Sequence, residues 1–151
     1  MEVKLAKSAG FCFGVKRAVD QVYEQIKKGG TIYTLGPIIH NEAVVNDLES
    51  KGVKVLDHPE DLDQIDEGTV IIRSHGVSKQ INQKIEDKGL NCVDATCPFV
   101  KKIHRIVEEE SGKGKQIIII GNDRHPEVEG IKGWCQTPAV VINTLEEAKK
   151  Y

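Results

Sequence analysis

The sequence predicts an α/β fold of tandem, pseudo-symmetric units, each a short parallel sheet flanked by helices. Two observations carry this. Apolar runs of strand length alternate with apolar stripes at helical spacing along the chain, the pattern of parallel strands joined by crossover helices. The chain also repeats itself at a fixed offset of 85 residues: Cys12-Phe13-Gly14-Val15-Lys16-Arg17 lies over Cys97-Pro98-Phe99-Val100-Lys101-Lys102. The register continues without a gap, placing Gly36 over Gly121, His40 over His125 and Glu42 over Glu127. From Cys12 to Glu42, 11 of 31 positions are identical, which marks a repeated structural unit. Residues 1–96 are assigned to a first unit and residues 97–151 to a second. The second unit lacks a counterpart of Thr69 to Thr96, so the sequence is expected to be the N-terminal part of a longer protein.

The elements follow in order. Glu2 to Ala6 reads as a short strand. Val15, Ala18, Val19, Val22 and Ile26 form one helical stripe, closed by Gly29-Gly30. Thr31 to Leu35 is a strand ending at the Gly36-Pro37 turn, and Asn41 to Ser50 a helix with Val44 and Leu48 inward. Val53 to Leu56 and Thr69 to Ile72 are strands, the second leading to Arg73-Ser74-His75-Gly76. Ser78 or a neighbour caps a helix through Lys88, and Asn91 to Ala95 is a strand leading to Thr96-Cys97-Pro98. Pro98 suits a first helical turn, where its missing N–H is not needed. Phe99, Val100, Ile103, Ile106 and Val107 form that helix's inward stripe, which ends near Gly112. Gln116 to Ile120, with four consecutive isoleucines, predicts a strand buried on both faces. Glu127 to Trp134 is a short helix, Ala139 to Ile142 a strand, and Leu145 to Tyr151 the start of a further helix.

Composition narrows the function. A formal charge of −2, with basic residues dispersed among few aromatics, argues against a nucleic-acid surface. No apolar run approaches the roughly 20 residues that cross a bilayer. The first residues carry neither a signal-peptide core nor transit-peptide character, so a cytoplasmic location is expected. In a reducing compartment the four cysteines read as thiols or metal ligands rather than disulfides.

Five side chains stand out. Cys12, His40, His75, Cys97 and His125 each fall just after an expected strand or in the turn into the next helix. That edge of an open parallel sheet is where ligands bind. Cys12 and Cys97 head predicted helices, and a helix N-terminus favours thiolate, the form that binds metal. Taken singly, a free cysteine is more often a small buried apolar residue. Equivalence in the repeat favours function for this pair. Cys92 and Cys135 fail that test, since their mates are Lys7 and Ser50, and Cys92 reads as a core strand residue. The spacing of Cys92 and Cys97 is at most a weak iron–sulfur signal. The three histidines could hold phosphate, move protons or bind metal, or cap turns through the backbone. Glu127, two residues after His125, could act with that imidazole in proton transfer, although an acid in a first helical turn is also favoured by the helix dipole alone. His58 reads as surface turn chemistry, and His104 as a partly buried helix residue.

Taken together, Gly10-Phe11-Cys12-Phe13-Gly14-Val15, Ile39-His40-Asn41, Ser74-His75-Gly76-Val77, Asp94-Ala95-Thr96-Cys97-Pro98 and His125-Pro126-Glu127-Val128-Glu129-Gly130 closely resemble the LytB/IspH family of 4-hydroxy-3-methylbut-2-enyl diphosphate reductases. The resemblance spans essentially the whole chain, with the motifs in order. It implies a fold of three similar α/β units around a central [4Fe-4S] cluster. It implies reductive dehydroxylation of an allylic diphosphate, the last step of the non-mevalonate isoprenoid pathway, with a ferredoxin or flavodoxin as electron donor. By motif, Cys12 and Cys97 correspond to two of three cluster ligands, the third expected beyond residue 151. His40, His75 and His125 correspond to diphosphate-binding residues, and Glu127, assisted by His125, to the proton-delivering group. Asp123-Arg124 and Trp134-Cys135 take no family role. With part of the site missing, the chain alone is expected to be inactive.

Two other readings stay open on the residues themselves. One is a phosphate- or diphosphate-binding α/β module with structural thiols and no redox chemistry. The other is a zinc-dependent hydrolase, which needs four first-shell positions converging tetrahedrally.

Overall fold

The structure, a computed structural model, describes residues 1–151. Helix α1 (Phe13–Lys28) precedes strand β1 (Ile32–Leu35), helix α2 (Glu42–Ser50) and strand β2 (Val53–Leu56). A short 3-10 helix (Pro59–Gln64) leads to β3 (Thr69–Ile72), α3 (Lys79–Asp87) and β4 (Asn91–Asp94). Then come α4 (Pro98–Gly112), β5 (Ile118–Ile120), α5 (Pro126–Lys132), β6 (Val140–Ile142) and α6 (Leu145–Lys150). The strands form two sheets, one of order β2-β1-β3-β4 and one pairing β5 with β6, and every pair is parallel. The fold is therefore α/β with short parallel sheets flanked by helices.

The helices start where local chemistry satisfies their free N–H groups. The Asn41 side chain accepts from the Val44 N–H at 3.1 Å, Ser78 from Ile81 at 3.3 Å and Thr144 from Glu147 at 3.2 Å. Along a strand successive side chains face opposite ways. Ile71 thus joins Ala18, Val22 and Ile38 on one face of the four-stranded sheet, while Val70 and Ile72 join Leu62 and Ile85 on the other. Burial on both faces accounts for the uninterrupted apolar run of β3.

Four expectations about these elements are corrected. Of the stripe expected to face inward on α4, only Val100 and Val107 are buried, while Phe99, Ile103 and Ile106 are exposed. Glu2 to Ala6 is not a strand; it is exposed coil with no sheet partner. An alternating pattern over so few residues does not specify pairing, and the edges of the sheet are β2 and β4. The isoleucine run is a strand, but not one buried on both faces: Ile118 is 47% and Ile120 86% exposed. Its sheet has only β6 beside it, so nothing in the chain covers it. Cys92 is exposed rather than core, because β4 is an edge strand. The short 3-10 helix after His58 was not foreseen; the Asp61 carboxylate accepts from the His58 N–H at 2.9 Å and holds it.

A joint ties the second helical pair to the first sheet. The Trp134 indole N–H donates to the Val77 carbonyl at 2.8 Å. His104 stacks on that indole with ring centroids 5.2 Å apart and is only 4% exposed.

Ile71 is fully buried in the central strand pair. Replacing it with alanine is expected to cost about 2–5 kcal/mol of stability, measured as a lower urea midpoint with an unchanged denaturant slope.

Candidate active site

The carboxyl ends of the strands deliver the candidate residues. β1 ends at Leu35 and leads to His40; β3 ends at Ile72 and leads to His75; β4 ends at Asp94 and leads to Cys97; β5 ends at Ile120 and leads to His125. Cys12 differs from the expectation in following coil rather than a strand. It heads α1, as Cys97 heads α4.

The structure brings the histidines together. The rings of His40 and His75 have centroids 4.9 Å apart, and those of His75 and His125 are 6.1 Å apart and edge-on. His75 stands in the middle. Its Nδ1 is buried and has no hydrogen-bond partner. Burial, then the positive charge of Arg73 and the neighbouring His40 and His125, bring its pKa down to about 4. Near neutral pH it is an uncharged imidazole. At His125, which caps α5, Nδ1 accepts from the Glu127 N–H at 3.2 Å. That bond puts the proton of a neutral His125 on Nε2, leaving an N–H free to donate. Glu127 thus fixes its neighbour's tautomer through its backbone while its own carboxyl group occupies the first helical turn.

The cysteine-bearing helices also meet. A Cβ built on Gly14 would lie 2.6 Å from the Cys97 Sγ, so the first turn of α1 closes on the thiol that heads α4. Glycine at this position is the condition for that approach. Arg17, one turn further along α1, donates to the carbonyls of Thr96 at 3.2 Å and Asp94 at 3.4 Å, fixing the segment that delivers Cys97. Exposed Phe11, Phe13 and Phe99 flank the two cysteines in sequence and rim this side with apolar surface.

Backbone bonds lace these segments to one another. The Cys97 N–H donates to the Ser74 carbonyl at 2.9 Å, and the Ser74 hydroxyl donates to the Ile38 carbonyl at 3.4 Å. Ser74 is buried, immediately precedes His75, and so joins the three strand ends that carry His40, His75 and Cys97. Sequence reasoning did not assign roles to Ser74, Arg17, Gly14 or Arg73. Ser74 and Gly14 lie inside recognisable motifs, but hydrogen bonds across strands leave no local signal. No group of three or more His, Cys, Asp or Glu side chains stands in metal-holding geometry. The chain's own donors therefore do not form the closed tetrahedral set that zinc requires. Cysteines heading two helices whose first turns meet at Gly14 and Cys97 are of the donor type that fits part of an iron–sulfur site.

Residues 3–151 match the family described as LytB protein. The chain belongs to the LytB family. Among relatives of this LytB-family chain, the 4-hydroxy-3-methylbut-2-enyl diphosphate reductase of Caldanaerobacter subterraneus subsp. tengcongensis is 51% identical over 99% of the chain and 52% of its own length. The same-named protein of Clostridioides difficile is 50% identical over 97% of the chain and 52% of its own length. A solved structure of (E)-4-hydroxy-3-methyl-but-2-enyl diphosphate reductase, described as the terminal enzyme of the non-mevalonate pathway, superposes with a TM-score of 0.81 at 43% identity, covering 96% of this chain and 52% of that one. The E-1-hydroxy-2-methyl-but-2-enyl-4-diphosphate reductase from Plasmodium falciparum superposes with a TM-score of 0.88 at 32% identity, covering 96% of this chain and 45% of that one. The LytB-family chain thus spans about half the length of the relatives it matches.

The environment of His75 sets a pH dependence. Its pKa rises from about 4 in the folded chain to its ordinary 6.5 on unfolding, so between these values the unfolded chain binds more protons. Its contribution to stability is present above about 6.5 and falls away as pH drops toward about 4. Equilibrium unfolding at a series of pH values is expected to show this loss, and His75→Asn to flatten it across that window.

Proposed function

We propose that this chain forms half of an iron–sulfur reductase that converts 4-hydroxy-3-methylbut-2-enyl diphosphate to isopentenyl and dimethylallyl diphosphate. The observation that carries the reading is the gathering of three imidazoles, with the first turn of the helix that Cys12 heads closing on the Cys97 thiol. The names of the relatives, at about half identity over nearly all of the chain, support the substrate. No helix of the chain is long and apolar enough to cross a membrane.

Cys12 and Cys97 would hold two irons of a [4Fe-4S] cluster, with a third thiolate expected from the half of the protein this chain does not span. When bound, the cluster supplies electrons, drawn from a ferredoxin or flavodoxin, and an open iron as Lewis acid for the allylic hydroxyl. The chain's residues do the rest. His40, His75 and His125 hold the diphosphate. A neutral His75 binds by hydrogen bonding rather than by charge, and the Nε2–H of a neutral His125 is free to donate to an oxygen. Holding the diphosphate fixes the allyl group in one orientation, which lowers the entropic part of the barrier.

Two electrons and two protons balance the conversion of the allylic alcohol to the product and water. The C–O bond breaks, and one proton must reach the departing oxygen while the other reaches an allyl carbon. Glu127 is the donor to the oxygen, and His125 beside it is positioned to assist. The exposed Phe11, Phe13 and Phe99 would help exclude water once the missing half covers them.

Anaerobic purification of the full-length protein with iron, sulfide and zinc analysis tests the reading. A brown protein with about four irons per chain is expected; zinc without iron, or no metal with intact diphosphate binding, would overturn it. Glu127→Gln is expected to lower turnover by about 10²–10⁴-fold with little change in KM. Gly14→Ala, which drives a methyl group into the Cys97 sulfur, is expected to lower iron content without unfolding the chain, read by metal analysis beside circular dichroism.

A further inference from the structure

We propose that Arg73 is a positioning residue of the diphosphate clamp: a fixed positive charge seated behind the imidazoles that ties together the three segments carrying them. The proposal deepens the functional reading above and rests on it.

Arg73 follows the last residue of β3 and stands two residues before His75. Its guanidinium reaches across to the turn after β1. A Cβ on Gly36 would lie 2.5 Å from Nη1 and 3.1 Å from Cζ, so only glycine admits it there, and Gly36 also has a φ of 71° that favours glycine. That turn leads to His40. On the third side the guanidinium is attracted by the carboxylate of Glu129, one helical turn after His125 on α5. One side chain thus precedes His75, lies against the turn that leads to His40 and shares a cavity wall with Pro126 and Glu129 of the helix that follows His125.

Arg73 is half-buried, its Nε is buried without a partner, and none of the chain's ion pairs includes it. Burial works against its charge, with the Glu129 attraction the only opposing influence. As a strut alone this is an unfavourable choice, since an unpaired buried cation costs more than an apolar side chain of similar size. A nearby anionic ligand changes that balance. Guanidinium keeps its charge where an imidazole does not, and the same charge helps hold His75 neutral. A cavity of about 320 Å³, walled by Gly36, Arg73, Gly76 and Glu129 together with Asp57 and His58, adjoins the guanidinium. The charged or titratable groups facing this arrangement are therefore Glu129, Asp57 and His58 toward Arg73, and Arg73, His40 and His125 toward His75.

The test uses the full-length, cluster-loaded protein with inorganic pyrophosphate as the probe. Arg73→Gln removes the charge and keeps hydrogen-bonding capacity; Arg73→Lys keeps the charge and loses the planar fork. At about pH 7.5, Arg73→Gln is expected to weaken pyrophosphate binding about tenfold and to raise KM more than it lowers kcat. Arg73→Lys is expected to stay within about threefold of wild type. The deficit of Arg73→Gln should shrink toward about pH 5.5, because His75, relieved of its neighbour, takes up a proton more readily. Unchanged affinity in Arg73→Gln overturns the proposal. So do equal, pH-independent losses in both variants, which would make Arg73 a strut. Wild-type protein that fails to bind pyrophosphate would sink the clamp itself, an outcome distinct from either. Should Arg73→Gln not fold, Arg73→Lys decides alone: a loss beyond about tenfold refutes a charge-based role.

Discussion

The site depends on one constraint: segments leaving different strands must be tied to each other, because no single element carries more than two of the functional side chains. Ser74 supplies the tie. Its carbonyl receives the Cys97 N–H and its hydroxyl reaches the Ile38 carbonyl. Both bonds lie at the carboxyl edge of a parallel sheet, where the next residues are His75, Pro98 and Ile39. Without such ties the loops after the strands would be free to separate, and the histidines would keep their sequence spacing but not their neighbours. Each bond alone contributes on the order of 1 kcal/mol. Their consequence is positional, since small shifts at a reacting centre are costly.

Electrostatics follows from that packing. Burial disfavours protonation of the middle imidazole, and the Arg73 charge and the two flanking imidazoles disfavour it further. The result is a site rich in hydrogen-bond donors and poor in fixed positive charge at its centre. Helix N-termini of α4 and α5 add partial positive charge at the same edge. The thiols lie under a different regime. Cys97 lies against the first turn of α1, an approach that the absence of a side chain at Gly14 allows.

The repeat shows what duplication keeps and what it releases. Helix-heading cysteines, the following basic residue, the glycine after the strand and the histidine survive in both units. Core identity survives only in part: Val22 and its mate Val107 are both buried valines. Val19 packs in the apolar core of the first unit, whereas its mate His104 is equally buried yet stacks on Trp134. The apolar face of β5, inward by the same logic as β1, lies open because only β6 stands beside it. The chain spans about half the length of its relatives, and the uncovered isoleucines and phenylalanines lie in and around the second unit and the cysteines.

The sequence by itself determined the α/β class, nearly every strand and helix, and the candidate residues. These are local or periodic properties: strand runs, helical stripes, capping residues and a repeat long enough to be counted. It did not determine that Glu2 to Ala6 stays unpaired, that Cys92 sits on an edge, or that Ile120 is exposed, because pairing and burial depend on which elements are present to cover a strand. Only the tertiary structure decided that His75 stands between His40 and His125, that Gly14 meets Cys97, and that the Arg73 guanidinium packs against Gly36. Those contacts join residues many positions apart. They arise from parallel strands ending at one edge, and a spacing along the chain carries no measure of that distance.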